Sequence, residues 1–200
     1  MLVSGIKSRP QYLGLEPDLN ARSNLIACDQ AGAEAVLRIL RNADIGFAKK
    51  STVFLLDEGK EPTAAKLIER LKPAATVVDH QIASITAHLA GLLQEAKMGV
   101  RVYAAGSEPL IGSVVQTAMQ HGIDHLSVRS EHVGSLKRRV QCVHCKGMIE
   151  DVTVNPVQCP HCGLHLLVRD HYSRRWAAFQ GVCINAEDPT DIPETKVEFP

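Results

Sequence analysis

The sequence predicts an α/β protein, a parallel sheet with crossover helices, followed by a small metal-binding module. Three observations predict it. From Asn24 short apolar runs alternate with helical stretches, the pattern of parallel strands joined by crossovers. Between the runs, apolar residues recur at steps of three and four, which places them on one helix face. After Glu131 the texture changes, with a boundary near Gly134, and two Cys-x-x-Cys pairs follow. The chain has 200 residues, 45% hydrophobic but only 4% aromatic, so its core is built mainly of Ala, Val, Leu and Ile.

In order along the chain, residues 1–23 mix Pro10, Pro17 and polar residues without period and read as a lead-in. Residues 24–134 are expected to form the α/β domain, with strands at Asn24–Cys28, Thr52–Leu56, Ala75–Asp79, Val100–Ala104 and His125–Val128. Ile82, Ile85, Leu89, Leu92 and Ala96 give one helical face, and Ile111, Val114, Ala118 and Met119 another. The second of these helices is bounded by Ser107 as N-cap, Pro109 in the first turn and Gly122 at the C-terminal end. Residues 135–185 form the cysteine module. Residues 186–200 are acidic and proline-containing, and are expected to lack regular structure.

Lysine plus arginine equals aspartate plus glutamate at 22 each, so there is no general attraction for nucleic acid or an anionic membrane. No apolar run approaches the roughly 20 residues that span a bilayer, and Met1–Ser8 lacks the features of a signal peptide. The cytoplasm is the expected location. Thiols are kept reduced there, so paired Cys-x-x-Cys units point to a metal rather than to disulfides. Cys28 and Cys183 stand outside the pattern.

Cys142-Val-His-Cys145 and Cys159-Pro-His-Cys162-Gly163 have the spacing of two tight turns that converge on one tetrahedral ion. In each turn two thiolates chelate the ion while backbone N–H groups offset their charge, and Gly147 and Gly163 are expected to supply the permissive backbone. Four thiolates suit zinc or iron. Zinc would be structural, adding on the order of 10–16 kcal/mol of apparent binding free energy; iron would add redox chemistry. Zinc ribbons and rubredoxins share the arrangement, although Lys146 stands where rubredoxins usually have glycine. His144, His161, His165 and His171 lie nearby, but four thiolates leave no vacancy for them.

Residues 24–131 resemble the nicotinamide-binding half of ferredoxin-reductase-type flavoproteins. The later turn, Ala104-Ala105-Gly106-Ser107-Glu108-Pro109-Leu110, carries the likeness well. The first, Cys28-Asp29-Gln30-Ala31-Gly32-Ala33-Glu34-Ala35, keeps only one of the expected glycines. Asp29 and Glu34 set carboxylates where a phosphate prefers N–H groups, and Ala105 replaces the family's cysteine beside the nicotinamide. The expectation is therefore a degenerate nucleotide-binding fold retained as a scaffold. Beyond the cysteines, Leu166–Val168 read as a closing strand with Tyr172, Trp176 and Phe179 as a small core, while Arg174, Arg175 and Trp176 are candidates for partner docking.

With the stretch His165-Leu-Leu-Val-Arg-Asp-His-Tyr-Ser-Arg-Arg-Trp-Ala-Ala-Phe, roughly residues 20–185 resemble the small-subunit family of dimethylamine monooxygenase, related to haem-dependent oxidative N-demethylases. The resemblance implies a complex in which a flavin and iron–sulfur reductase subunit takes electrons from a nicotinamide. A haem subunit then uses them with dioxygen to convert dimethylamine to methylamine and formaldehyde. This chain would relay electrons between the two through iron on Cys142, Cys145, Cys159 and Cys162, being no catalyst alone. The alternatives are a redox-inert zinc ribbon that binds protein or nucleic acid, for which Lys137, Arg138 and Arg139 speak, and a reductase binding nicotinamide itself.

Overall fold

The computed structural model describes residues 6, 8–57, 59 and 63–200; the signal-peptide reading of Met1–Ser8 falls mostly outside them. The chain divides into two compact units, Tyr12–Gly134 and Met1–Gln11 with Ser135–Pro200.

The first unit runs β1 (Ser23–Asp29), α1 (Ala33–Asn42), α2 (Ile45–Lys49), β2 (Ser51–Leu56), α3 (Thr63–Arg70), β3 (Ala75–Asp79), α4 (Ile82–Gln94), β4 (Val100–Gly106), α5 (Glu108–Gln120) and β5 (Arg129–His132). All pairings are parallel, in the order β3-β2-β1-β4-β5. The central strands are apolar on both faces because helices cover both. Ile26, Cys28, Val53, Leu55 and Tyr103 pack towards α1, α2 and α3. The alternate residues Leu25, Ala27, Phe54, Val102 and Ala104 pack towards α4 and α5, as the period of two requires. From Tyr12 the lead-in belongs to this unit: Leu15 is buried and donates its N–H to Glu131, and Asp18 pairs with Arg101.

Three expectations are corrected. His125–Val128 is not a strand: His125–Ser127 is a 3-10 turn capped by Asp124, and Leu126 is 83% exposed. The strand that follows reads Arg-Ser-Glu-His, an edge strand held by polar contacts, so no apolar run marked it. On α4 the buried stripe passes through Ile85, Leu89 and Leu93, leaving Leu92 outside, and Ala96 lies beyond the helix; on α5 Met119 is exposed. Ser107 does cap α5, although its side chain makes no capping hydrogen bond.

The second unit holds β6 (Arg138–Cys142), β7 (Met148–Val152), β8 (Val154–Asn155), β9 (Val157–Gln158), β10 (His165–Ser173), β11 (Ala178–Cys183) and β12 (Lys196–Val197). Five form a sheet in the order β7-β6-β11-β10-β9, with β6 and β11 parallel and the other neighbours antiparallel. The acidic tail is not without structure: β12 pairs with β8, and Phe199 is buried with Val140, Val152, Val168, Tyr172 and Phe179. Trp176 is 45% exposed and stands outside that core.

Candidate metal centre

Both cysteine pairs sit on turns that leave a strand, and the two turns have one hydrogen-bond pattern. Cys142 N–H donates to Gly147 O and Lys146 N–H returns to Cys142 O; in the second turn Cys159 N–H donates to Leu164 O and Gly163 N–H to Cys159 O. The fifth residue of each turn closes it in the left-handed region, Lys146 at φ 64° and Gly163 at φ 78°. The expectation that Gly147 gives the first turn its permissive backbone is therefore corrected, because Lys146 takes that conformation. Glycine is needed at 147 for space, since a Cβ there would fall 2.3 Å from His161 Cδ2.

The four sulfurs lie within 4.8 Å of one another, with Cys142 Sγ 3.8 Å from Cys162 Sγ and Cys145 Sγ 3.7 Å from Cys159 Sγ. Four sulfurs each about 2.3 Å from one tetrahedral ion lie roughly 3.8 Å apart, so the cluster has the dimensions of a metal site. None of the four is in a disulfide. Cys142 and Cys159 are 0% and 1% exposed, whereas Cys145 and Cys162 reach solvent.

Burial raises the Cys159 thiol, but the N–H groups of His161 and Cys162 and the neighbouring sulfurs outweigh it and bring the group down to about 7. At Cys162 the Leu164 N–H favours the thiolate, yet burial and the other three cysteines push the thiol up to about 12. Thiols this close cannot all ionise unless a cation offsets their charge. The arrangement can hold a metal ion, and the donor set admits either zinc or iron.

His161 Nε2 lies 2.9 Å from Met148 O, so the second turn is tied to the strand leaving the first. Nothing local in the sequence separates His161 from His144, which has the same place in the first turn, and both are exposed. The basic run before the first turn is engaged within its own unit. Lys137 lies near Asp151, Arg139 binds Glu150, and the Arg138 guanidinium binds Asp170 between the rings of Phe179 and Phe199. Arg174, Arg175 and Trp176 occupy the turn between β10 and β11, with Arg175 stacked on Trp176. The metal-side end of this hairpin is Leu166, which packs with Cys142 and Cys159. The turn lies at the other end, roughly 20 Å away along the strand.

Fold and site define a class: a parallel α/β unit of dinucleotide-binding strand order joined to a β unit carrying a four-cysteine cluster. Residues 4–128 match the family described as "Dimethylamine monooxygenase subunit DmmA-like, N-terminal domain", and residues 139–182 match its C-terminal domain. The chain belongs to this DmmA-like family.

The delta subunit of a heme-dependent oxidative N-demethylase from Ectopseudomonas mendocina (strain ymp) is 31% identical over 110 residues, 54% of this chain and 62% of that protein. The chain thus spans about three fifths of that relative's length. Two solved structures are similar at a TM-score of 0.43. Flavohemoglobin from Malassezia yamatoensis with bound FAD and heme is 14% identical, over 60% of this chain and 33% of that one. The C-terminal domain of a hydrogenase from Pyrococcus furiosus is 13% identical, over 60% and 100%. At that TM-score neither bears on function. Among the described residues no helix is long and apolar enough to cross a membrane.

Proposed function

We propose that this chain is the electron-relaying subunit of an oxidative N-demethylase complex, with one iron ion on Cys142, Cys145, Cys159 and Cys162. The observation that carries the reading is the four-sulfur cluster, buried on one side and open on the other, in a chain of a monooxygenase-subunit family. Iron on four thiolates exchanges one electron with little rearrangement of its ligands. The chain's own residues supply the rest. Cys142 and Cys159 anchor the cluster in the unit's interior, N–H groups offset the thiolate charge, and His161 ties the two turns together. Cys145 and Cys162 offer the open edge at which another protein's redox group can approach.

The partners in this reading are a reductase subunit with flavin and an iron–sulfur cluster, and a haem subunit that demethylates dimethylamine in the cytoplasm. Dimethylamine, dioxygen, two protons and two electrons give methylamine, formaldehyde and water, so an iron held by the four cysteines would supply one-electron transfer twice per turnover. The name of the Ectopseudomonas relative supports a demethylase complex. Arg174, Arg175 and Trp176 serve as a partner anchor, supported by the stacked, exposed pair on the β10–β11 turn; from that end they hold a partner without conducting to the cluster. The α/β unit is read as a degenerate ferredoxin-reductase-like fold, on its strand order, and the cysteine unit as a rubredoxin-like module, on its paired turns.

A second reading is a redox-inert zinc ribbon, favoured by the thin apolar core around the cysteines, which a structural ion would reinforce. One experiment separates the two. Protein purified anaerobically should contain iron by elemental analysis, be red when oxidised and bleach on reduction. In the assembled complex, exchange of iron for zinc should abolish haem reduction by NAD(P)H and leave flavin reduction intact. Full demethylase activity with zinc on these cysteines and iron absent would reduce the unit to a structural clip.

A further inference from the structure

In an open parallel sheet, ligands bind beyond the carboxyl ends of the strands where the strand order reverses. Here that place lies between β1 and β4. An anionic ligand there is met by N–H groups at the starts of the following helices. Asp29, the last residue of β1, turns its own carboxylate into the crevice. Oδ1 accepts the N–H of Gly32, which caps α1, at 2.9 Å, and Oδ2 accepts the N–H of Ser107, which caps α5, at 2.7 Å. Asp29 is 5% exposed.

The two glycines of the crevice serve this arrangement. Gly106 has φ 127°, and a Cβ on it would fall 2.1 Å from Asp29 Oδ1, so a bare backbone is what admits the carboxylate. A Cβ on Gly32 would fall 2.2 Å from Ala105 O. The first turn is thus pressed against the end of β4.

We infer that Asp29 is a built-in occupant of the anion seat: the α/β unit is a dinucleotide fold closed from within, and no nucleotide phosphate binds at its switch point. The neighbouring strands reinforce the closure. Asp57 follows β2 and accepts from Gln30 and Gly59 N–H; Asp79 ends β3 and accepts from His80 and Gln81 N–H and from Ser84. Glu131 on β5 accepts from Leu15 N–H and Arg38. The loop N–H groups these carboxylates take are no longer offered to a ligand, and an approaching phosphate meets negative charge. The inference stands on the α/β unit alone and is independent of which metal the cysteines hold.

Titration of the full chain with NADH, NADPH and inorganic pyrophosphate, by calorimetry, should give no binding. Thermal melts of wild type, Asp29→Ala and Asp29→Asn in acetate, in pyrophosphate and in chloride at matched ionic strength complete the test. Asp29→Ala should melt lower, acetate or pyrophosphate should restore part of the loss, and the wild type should respond to neither. Asp29→Asn, which keeps one acceptor, should fall between and serves if the alanine variant does not fold. Stoichiometric nucleotide or pyrophosphate binding by the wild type would overturn the inference, as would unchanged melting of Asp29→Ala. A variant that melts lower and gains nothing from either anion would make Asp29 a loop cap only, which also overturns it.

Discussion

Replacing Arg138 with alanine removes one side chain and strands three others. Its guanidinium lies 4.0 Å from the ring centroids of both Phe179 and Phe199 and donates to Asp170 at 2.7 Å. Arg138 is 8% exposed and the Asp170 side chain 12%, so the pair is largely out of water. Removing one partner of such a pair costs about 3–5 kcal/mol, because the other charge stays buried without a counterion. Each desolvated ring contact adds on the order of 1–2 kcal/mol. A loss of roughly 5 kcal/mol or more matches the whole stability of many domains, so the cysteine unit should unfold.

The effect reaches the metal site because Arg138 opens β6 and Cys142 closes it. Trp176 is the chain's one tryptophan and lies in the same unit, so its fluorescence during urea denaturation reports on it. Arg138→Ala should show no tryptophan transition of its own and should surrender its metal to a chelator. Arg138→Lys keeps the charge but not the planar stack, and should fall in between. Arg138→Met with Asp170→Leu should recover much of the loss, since apolar replacement of a buried pair is often neutral. An unchanged urea midpoint in Arg138→Ala would refute the reasoning.

Cys159→Ser should lower metal content from one ion per chain to almost none by elemental analysis and unfold the cysteine unit while the α/β unit keeps its circular dichroism; full retention would remove Cys159 from the ligands. Gly147→Ala forces the His161 ring off the first turn, so metal release to a chelator should quicken several-fold at unchanged starting content. Lys146→Gly should raise stability by about 0.5–1 kcal/mol, the relief of a left-handed non-glycine residue less the entropy of an added glycine; a lower urea midpoint would refute it. The Arg38 hydrogen bond holds the Glu131 carboxyl below its ordinary value of 4.5, with burial opposing it. A carboxyl depressed on folding contributes stability above its unfolded value and loses it as pH falls through the folded one. The α/β unit's melting temperature should therefore drop as pH falls below 4.5, less steeply in Glu131→Gln.

The central sheet was legible because β1, β2 and β4 are buried on both faces and read as continuous apolar runs. The fifth strand was not, because an edge strand of Arg, Ser, Glu and His is held by contacts of high sequence separation, Glu131 with Leu15 and Arg38, which leave no local period. The acidic tail failed in the same way. Its order comes from Phe199 on Arg138 and from two backbone hydrogen bonds to Thr153, none of which composition can register.

In the cysteine unit the spacing told which side chains converge, since a chelating pair three residues apart is a local property of one turn. It did not tell which backbone each turn needs. The two turns superpose as hydrogen-bond patterns, so the residue after the second cysteine must be left-handed in both, and glycine holds that place in one and Lys146 in the other. Gly147, the glycine the sequence offered instead, answers to a contact from the opposite turn, the His161 ring. The same split runs through the α/β unit. Gly32 and Gly106 look like the remnant of a phosphate loop, yet each is required by a contact inside the protein, with Ala105 O and with the Asp29 carboxylate. A glycine motif reports that something approaches the backbone closely, and only the partner's identity decides whether the site is open to a ligand. Here the partner at each glycine is the chain itself.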